Sequence, residues 1–384
     1  MICDFREERW PSMDLFGDML YLSLRAGYAP EFQVEQLLPA IRPRLSKIPR
    51  AGLSGVRWNA DRLLNRFHDY PRWLRTEKRR FDLFHIVDHS YSQLALELPP
   101  QRTVITCHDL DTFRSVFEPA AEPRPGWFRA MTRKILRGFQ RATHVICPSA
   151  STKGQILAHQ LFSPDQVTVI APGVDPVFFE PASLHINAIL GDNVQPYVLH
   201  VGSNIRRKRI DVLLRVFARI APRFPQLRLV RVGGPLTDEM SRLARELGIS
   251  PRIIQAPHLS KAELAAVYSH ATLLLQTSDA EGFGLPVIEA MACGCPVIAS
   301  DIAPLREAGG TAAEFCPVAE EPAWAETLLK LLRQQQDAPG QWDARRDEAR
   351  RHAARFTWGE NARQTVAVYR QVLAVPMHHR GEME

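Results

Sequence analysis

Short runs rich in valine and isoleucine alternate with amphipathic stretches between residues 81 and 170. FHIVD, TVITCHD, HVICPS and VTVIAPG have the length and β-branched content of buried strands. Between them, residues 127–141 and 151–160 carry apolar side chains at helical spacing. The rhythm starts again at Tyr197. YVLHVG, LRLVRVGG, RIIQAP, ATLLLQTS, CPVIAS and AAEFCPV read as strands, and residues 210–223, 238–247, 261–270, 286–293 and 323–335 as helices. Such alternation predicts parallel sheets with helices on both faces. Two doubly wound α/β units, joined by a loop over residues 175–195, are the simplest architecture. Ligands of open sheets sit at the carboxyl ends of strands, so a cleft between the units is the expected site. Residues 358–375 add one more amphipathic helix, with Ala362, Val366, Tyr369 and Leu373 on a face. The first 80 residues are less regular; 14–25, 57–66 and 71–80 read as helices. The opening MICDF looks like the last half of a strand, which would put the natural start a few residues upstream.

Composition narrows the class. A chain of 384 residues suits two domains, and 45% hydrophobic with 23% charged residues is ordinary for a globular protein. The six cysteines sit in or beside apolar runs and read as buried, reduced thiols of a cytoplasmic protein. Cys293-Gly294-Cys295 has no second Cys or His pair at zinc spacing, so no metal is expected. No run reaches the roughly 18 apolar residues of a membrane span. MICDFREERW has acids and arginines where a signal peptide has its apolar core. A net charge of +6 favours anionic partners without choosing among them.

The densest chemistry lies in SDAEGFGLPVIEAMACGCPVIASD, residues 278–301, where Glu281 and Glu289 are separated by seven residues. The strand ATLLLQTS leads into the turn AEGFG. Gly282 and Gly284 permit close backbone approach and positive φ, and Pro286 suits a first helical turn. Glu281 then stands on the loop and Glu289 one turn into a helix, beside an N-terminus that favours phosphate. Carboxylates accept hydrogen bonds from vicinal hydroxyls. A molecule with central phosphates and sugar hydroxyls at both ends, a nucleotide-sugar, fits this set. The plainer alternative is a turn before a helix, with an acid complementing its dipole.

EGFGLPVIEAMACGCPVIASD closely resembles the E-x7-E signature of retaining glycosyltransferases of family 4 (glycosyltransferase group 1). These share the GT-B fold, two doubly wound Rossmann-like domains facing each other across a cleft. The resemblance continues, in register, through HVICPSASTKGQIL, VTVIAPGVDPVFF, VLHVGSNIRRKRIDVLLRVFA, RLVRVGG and APHLSKAELAAVYSHA. It implies an N-terminal acceptor-binding domain over 1–185, a C-terminal nucleotide-sugar domain over 196–357, and a helix over 358–375 that crosses back to the first.

By that resemblance Glu281 contacts hydroxyls of the donor sugar. Gly282, Phe283, Gly284 and Leu285 form the loop at the sugar and diphosphate, and Glu289 binds the ribose. Lys208 and Arg207 hold the diphosphate, beside the Gly202-Ser203 turn. The family is metal-independent, so side-chain cations must stabilise the departing diphosphate; no cofactor is implied, and the nucleotide-sugar is a co-substrate. Many members carry arginine where this chain has Ser203, and Arg209 replaces the usual small or amide residue after the lysine. Arg206 is one source of the missing charge. His108, at the end of TVITCHDLD, matches a position near the reacting sugar; Asp109 orients the loop or the acceptor, and Asp111 reads as a helix cap. No carboxylate of the first domain stands out as a nucleophile, so a front-face reaction is favoured, with the leaving phosphate taking the acceptor's proton.

The function implied is transfer of a sugar from a nucleoside-diphosphate-sugar to a glycan or lipid-linked acceptor, in polysaccharide or glycolipid biosynthesis. The Gly-Ser start with Arg-Lys leans toward a mannosyltransferase. Residues 72–80 and 124–142 mix bases with Trp73, Trp127, Phe128 and Leu136. They read either as a face for peripheral contact with anionic lipid at the inner membrane surface or as soluble helices with exposed arginines. The alternatives are a non-catalytic GT-B partner protein and a sugar-nucleotide epimerase. No nucleic-acid motif is present.

Overall fold

The strand–helix rhythm is realised as two parallel sheets, one in each of two compact units. The computed structural model describes residues 1–46, 54–180, 184–192, 194–256 and 258–375. One unit is Met1–Pro172 together with the segment from Trp358 on; the other is Gly173–Thr357. The boundary expected at 185 therefore moves upstream. Residues 173–180 pack with the second unit, where Phe178 lies against Tyr268 at a ring distance of 5.8 Å. The readings RIIQAP and APHLSK include residue 257, and the loop 175–195 includes 181–183 and 193; those positions lie outside the described residues.

The first unit has a four-stranded sheet in the order β1 (Phe84–Ile86), β2 (Thr103–Thr106), β3 (His144–Cys147), β4 (Val167–Val169). Ile2 extends it by single parallel bridges to Ile86 and Leu37, so MICDF is strand-like at one residue only. Alternate strand residues feed two cores. Phe84, Ile86, Ile105 and Val145 pack with Ile135 and Phe139 of the helix Gly126–Phe139. Val87, Val104 and Ile146 pack with Phe16, Leu20 and Leu24 of Pro11–Tyr28 and with Ala362, Val366 and Tyr369 of Trp358–Ala374.

The second unit has six strands in the order β10-β9-β8-β5-β6-β7. They are β5 (Tyr197–Val201), β6 (Arg228–Val232), β7 (Ile253–Gln255), β8 (Leu273–Gln276), β9 (Val297–Ser300) and β10 (Ala313–Cys316). The chain builds outward from β5 to β7, then returns to pair β8 with β5 and builds the other way. The strand order thus reverses between β5 and β8, the place where open sheets accept ligands. One face buries Val198, Leu229, Leu273 and Leu275 against the helices Ile210–Ile220 and Glu321–Asp337. The helix Pro339–Ala353 was not expected. Its sequence is nearly half charged, and only Trp342, Ala349, His352 and Ala353 are buried.

Trp324 is fully buried in the second unit and donates Nε1–H to the Pro317 carbonyl at 3.0 Å. Trp324→Ala should therefore cost about 3–5 kcal/mol. Urea unfolding of the full chain checks this: an unshifted transition would contradict the packing described.

Candidate active site

The turn after β5 and the loop after β8 meet at the reversal point. Arg206–Lys208 forms a short 3-10 turn, closed by Arg209 in the left-handed region (φ 48°) at the start of the helix Ile210–Ile220. Thr277, just past β8, donates its hydroxyl to the Lys208 carbonyl at 3.0 Å, and the Asp279 amide donates to the Arg207 carbonyl at 2.9 Å. The two segments are thus fastened by neutral hydrogen bonds to backbone carbonyls before any charge is considered.

Charge then closes the contact. Lys208 Nζ donates to Glu281 Oε1 at 2.5 Å and Arg207 Nη1 to Oε2 at 2.7 Å. Gln276 and Ser278 add hydrogen bonds to Oε1 at 2.8 and 2.7 Å. Burial alone would raise the pKa of Glu281, but Lys208 and Arg207 overcome it and hold the pKa down at about 2. The carboxylate is therefore an anion at every physiological pH.

The loop turns into the helix Leu285–Ala292 at Gly284, whose φ is 120°. A Cβ there would stand 2.7 Å from Leu305 Cδ2, so only glycine fits. Phe283 is buried, with its ring 5.6 Å from that of Phe356, and anchors the loop from below. Glu289 sits in this helix, buried, and accepts from the Tyr268 hydroxyl at 3.1 Å. No cation touches it among the described residues; the nearby Lys261 is paired with Asp175 at 2.6 Å. Burial raises the Glu289 pKa to about 7; the Tyr268 hydrogen bond opposes this without cancelling it.

In the first unit, His108 follows β2 and is partly exposed. Its Nε2 lies 2.8 Å from the Val87 carbonyl, which requires a proton on that nitrogen, and its ring meets Phe16 edge-on at 4.8 Å. Burial lowers its pKa, so the imidazole is neutral. Asp109 accepts from the Asp111 amide at 3.0 Å and so shapes the loop. Asp111 is the first residue of that turn, with Leu110 in the cap position, so its reading as a cap is corrected. Sequence reasoning missed a buried group beside His108: Asp4, Asp88 and His89, at the ends of neighbouring strands. Burial raises the Asp4 pKa, and the adjacent Asp88 raises it further. Nothing local in MICDF or IVDHS pairs these acids; only the parallel register does.

The basic stretches divide. Within 72–80, Arg75 pairs with Glu97, Arg80 with Glu77 and Glu35, and Trp73 packs against the core. In the helix Gly126–Phe139, Trp127 is 63% exposed. No helix among the described residues is long and apolar enough to cross a membrane.

The Glu289 environment has a signed consequence. Its folded pKa lies above the unfolded value near 4.5, so the folded chain binds the extra proton and loses stability as pH rises from there to about 7. Glu289→Gln should remove that slope, read as the thermal midpoint from about pH 5 to pH 8. Identical pH profiles for the two proteins would contradict the assignment.

Comparison with known proteins identifies the family. The family of glycosyl transferases group 1 matches residues 185–352, and Glycosyltransferase Family 4 matches residues 26–178. A D-inositol 3-phosphate glycosyltransferase of Frankia alni is 32% identical over 313 residues, 77% of this chain and 75% of that protein. One from Catenulispora acidiphila is 32% identical over 246 residues, 60% of this chain and 58% of that protein. The chain thus spans between somewhat over half and three quarters of the length of these relatives. Among solved structures, sucrose-phosphate synthase from Thermosynechococcus elongatus superposes with a TM-score of 0.70 at 23% identity, covering 94% of this chain and 93% of that one. HepE from Anabaena in complex with UDP gives 0.66 at 17% identity, covering 92% and 96%. The chain belongs to the group 1 glycosyltransferases of family 4 and has their two-domain Rossmann-like GT-B fold.

Proposed function

We propose that this glycosyltransferase transfers a sugar, with retention, from a nucleoside-diphosphate-sugar to a glycan or lipid-linked acceptor in polysaccharide or glycolipid assembly, without a metal. The observation that carries the reading is the convergence of Lys208 and Arg207 on Glu281 at the strand-order reversal. Two cations held at that point suit the charge that grows on a departing diphosphate. The amides of Gly282, Gly284 and Leu285, at the start of a helix, suit the sugar and phosphates. Glu289, buried with a single hydroxyl partner among the described residues, suits a ribose diol.

In the reaction, the bond from the anomeric carbon to the β-phosphate oxygen breaks and one to the acceptor oxygen forms on the same face. The acceptor's proton passes to the leaving phosphate oxygen, so atoms and charge balance without a protein nucleophile. Lys208 and Arg207 stabilise that oxygen before it is protonated. Glu281 keeps both cations in place; Oε1 is taken by three donors, and the one free lone pair of Oε2 is left for a sugar hydroxyl. His108, neutral and with Nε2 bound to a carbonyl, is assigned near the reacting sugar, with Asp109 on the acceptor side. Peripheral contact with anionic lipid stays in the proposal for the helix Gly126–Phe139, where Trp127 is exposed among bases.

Released nucleoside diphosphate from a panel of nucleotide-sugars, with the anomeric configuration of the product read by NMR, tests this reading; inversion would refute the mechanism. Glu281→Gln is expected to lower kcat by about 100-fold or more, read at a temperature where circular dichroism shows the variant folded, with its thermal midpoint lowered because Lys208 and Arg207 lose their carboxylate. Undiminished turnover in that variant would remove Glu281 from the site. Excess EDTA should leave turnover unchanged, and a loss restored by added magnesium would count against metal-free transfer.

A further inference from the structure

β6 carries an arginine in its interior. Arg231 lies directly opposite His200 of β5, and both side chains are fully buried. Such a position ordinarily holds an apolar residue, because an unpaired buried charge is costly. Arg231 Nη2 donates to the Gly202 carbonyl at 2.9 Å. Its Nε and Nη1 have no hydrogen-bond partner among the described residues, and no carboxylate pairs with it there. His200 gives no relief, since both its ring nitrogens are also without partners. Burial, followed by the nearby Arg231 and Lys208, pushes the His200 pKa well below the usual value, so the ring is neutral. Burial also lowers Arg231, to about 10, which leaves it charged at neutral pH.

This cation stands beneath the turn that leads to Lys208. A Cβ on Gly202 would lie 3.3 Å from the His200 ring and 3.5 Å from the Lys208 chain. A Cβ on Gly233, two residues beyond Arg231, would lie 2.2 Å from the Gly202 carbonyl oxygen. The β6 end therefore grips the glycine turn from two positions. Glu281 takes Arg207 and Lys208, while Arg231 has no carboxylate among the described residues, so its charge is a positive surplus at the carboxyl ends of β5 and β6. A surplus so placed fits a ligand with at least two negative charges.

We infer that Arg231 is a positioning residue for the diphosphate of the donor: through the Gly202 carbonyl it fixes the glycine turn, and its buried charge supplies the positive field that residue 203, a serine, does not. This rests on the reading of the site as one for a nucleoside-diphosphate-sugar. It also answers the departure at Ser203 without recourse to Arg206, since the missing charge comes from below the loop.

The test is calorimetric titration of the full chain with inorganic pyrophosphate, UDP and GDP, and with uridine and guanosine as uncharged controls. Arg231→Gln keeps an N–H donor for the Gly202 carbonyl and removes the charge. It should weaken pyrophosphate about tenfold and flatten the salt dependence, leaving nucleoside binding unchanged. Adding Ser203→Arg to that variant should restore affinity to within about threefold of wild type. Wild-type pyrophosphate affinity in folded Arg231→Gln, or equal losses for nucleosides and pyrophosphate, would overturn the inference. If Arg231→Gln does not fold, Arg231→Lys decides. A buried lysine loses its proton earlier, so its pyrophosphate affinity should fall between about pH 7 and pH 9.5 while wild type holds; parallel profiles would overturn the inference. A wild-type chain that binds pyrophosphate, UDP and GDP not at all would overturn the reading of the site itself, and this inference with it.

Discussion

A single carboxylate clamping two cations fixes the rest of the site. Glu281 reaches Lys208 and Arg207 across 73 and 74 residues of sequence, joining loops that leave adjacent strands. In a setting this dry each of the three charges would be unfavourable alone, and losing one member of such a pair costs about 3–5 kcal/mol. The clamp is therefore weak as a source of stability and strong as a constraint. Neither loop can shift without stranding a charge. The bonds from the Asp279 amide and the Thr277 hydroxyl make the same connection in neutral form, so the position of the cations is specified twice.

The clamp's location follows from topology. β5 and β8 are neighbours, yet their outgoing connections run to opposite sides of the sheet. A gap must open between those connections, and the free amides of the following helices line it. At that gap the cations of the loop stand above the glycine turn and Arg231 of the sheet, bound to the Gly202 carbonyl, stands below it, a combination that leaves the turn little freedom.

Much of this was legible in the sequence because it is local. The ten strands among the described residues follow from short apolar runs, most of them rich in Val and Ile, and Gly284, Pro286 and Glu289 declare a turn and a helix within a few residues. The partners of the glutamates were less legible. Tyr268 lies 21 residues before Glu289, and only the packing of two helices brings them together. Arg231 sits in RLVRV, where a strand reading implies a facing partner but not which one. The helix Pro339–Ala353 escaped notice because its buried positions are an alanine pair, a histidine and one tryptophan amid charges, too sparse for a clear apolar face. The pairing of Asp4 with Asp88 depends on the register of Ile2 with Ile86, which no short-range pattern encodes.

The two glutamates of one motif are put to opposite use by their surroundings. Glu281, held near pKa 2, is an anion that cations have already claimed. Glu289, near 7, is poised between protonated and charged because burial offers it one hydroxyl and no cation in contact among the described residues. A group of the first kind is suited to hold other side chains still. A group of the second kind has capacity to spare: a vicinal diol would supply the hydrogen bonds that burial withholds, and by favouring the charged form would pull the proton off. On the proposed reading, recognition of a diol and ionisation of Glu289 would be one event, so the ligand would complete the electrostatics of the second acid, while the charge of the first is matched before any ligand arrives.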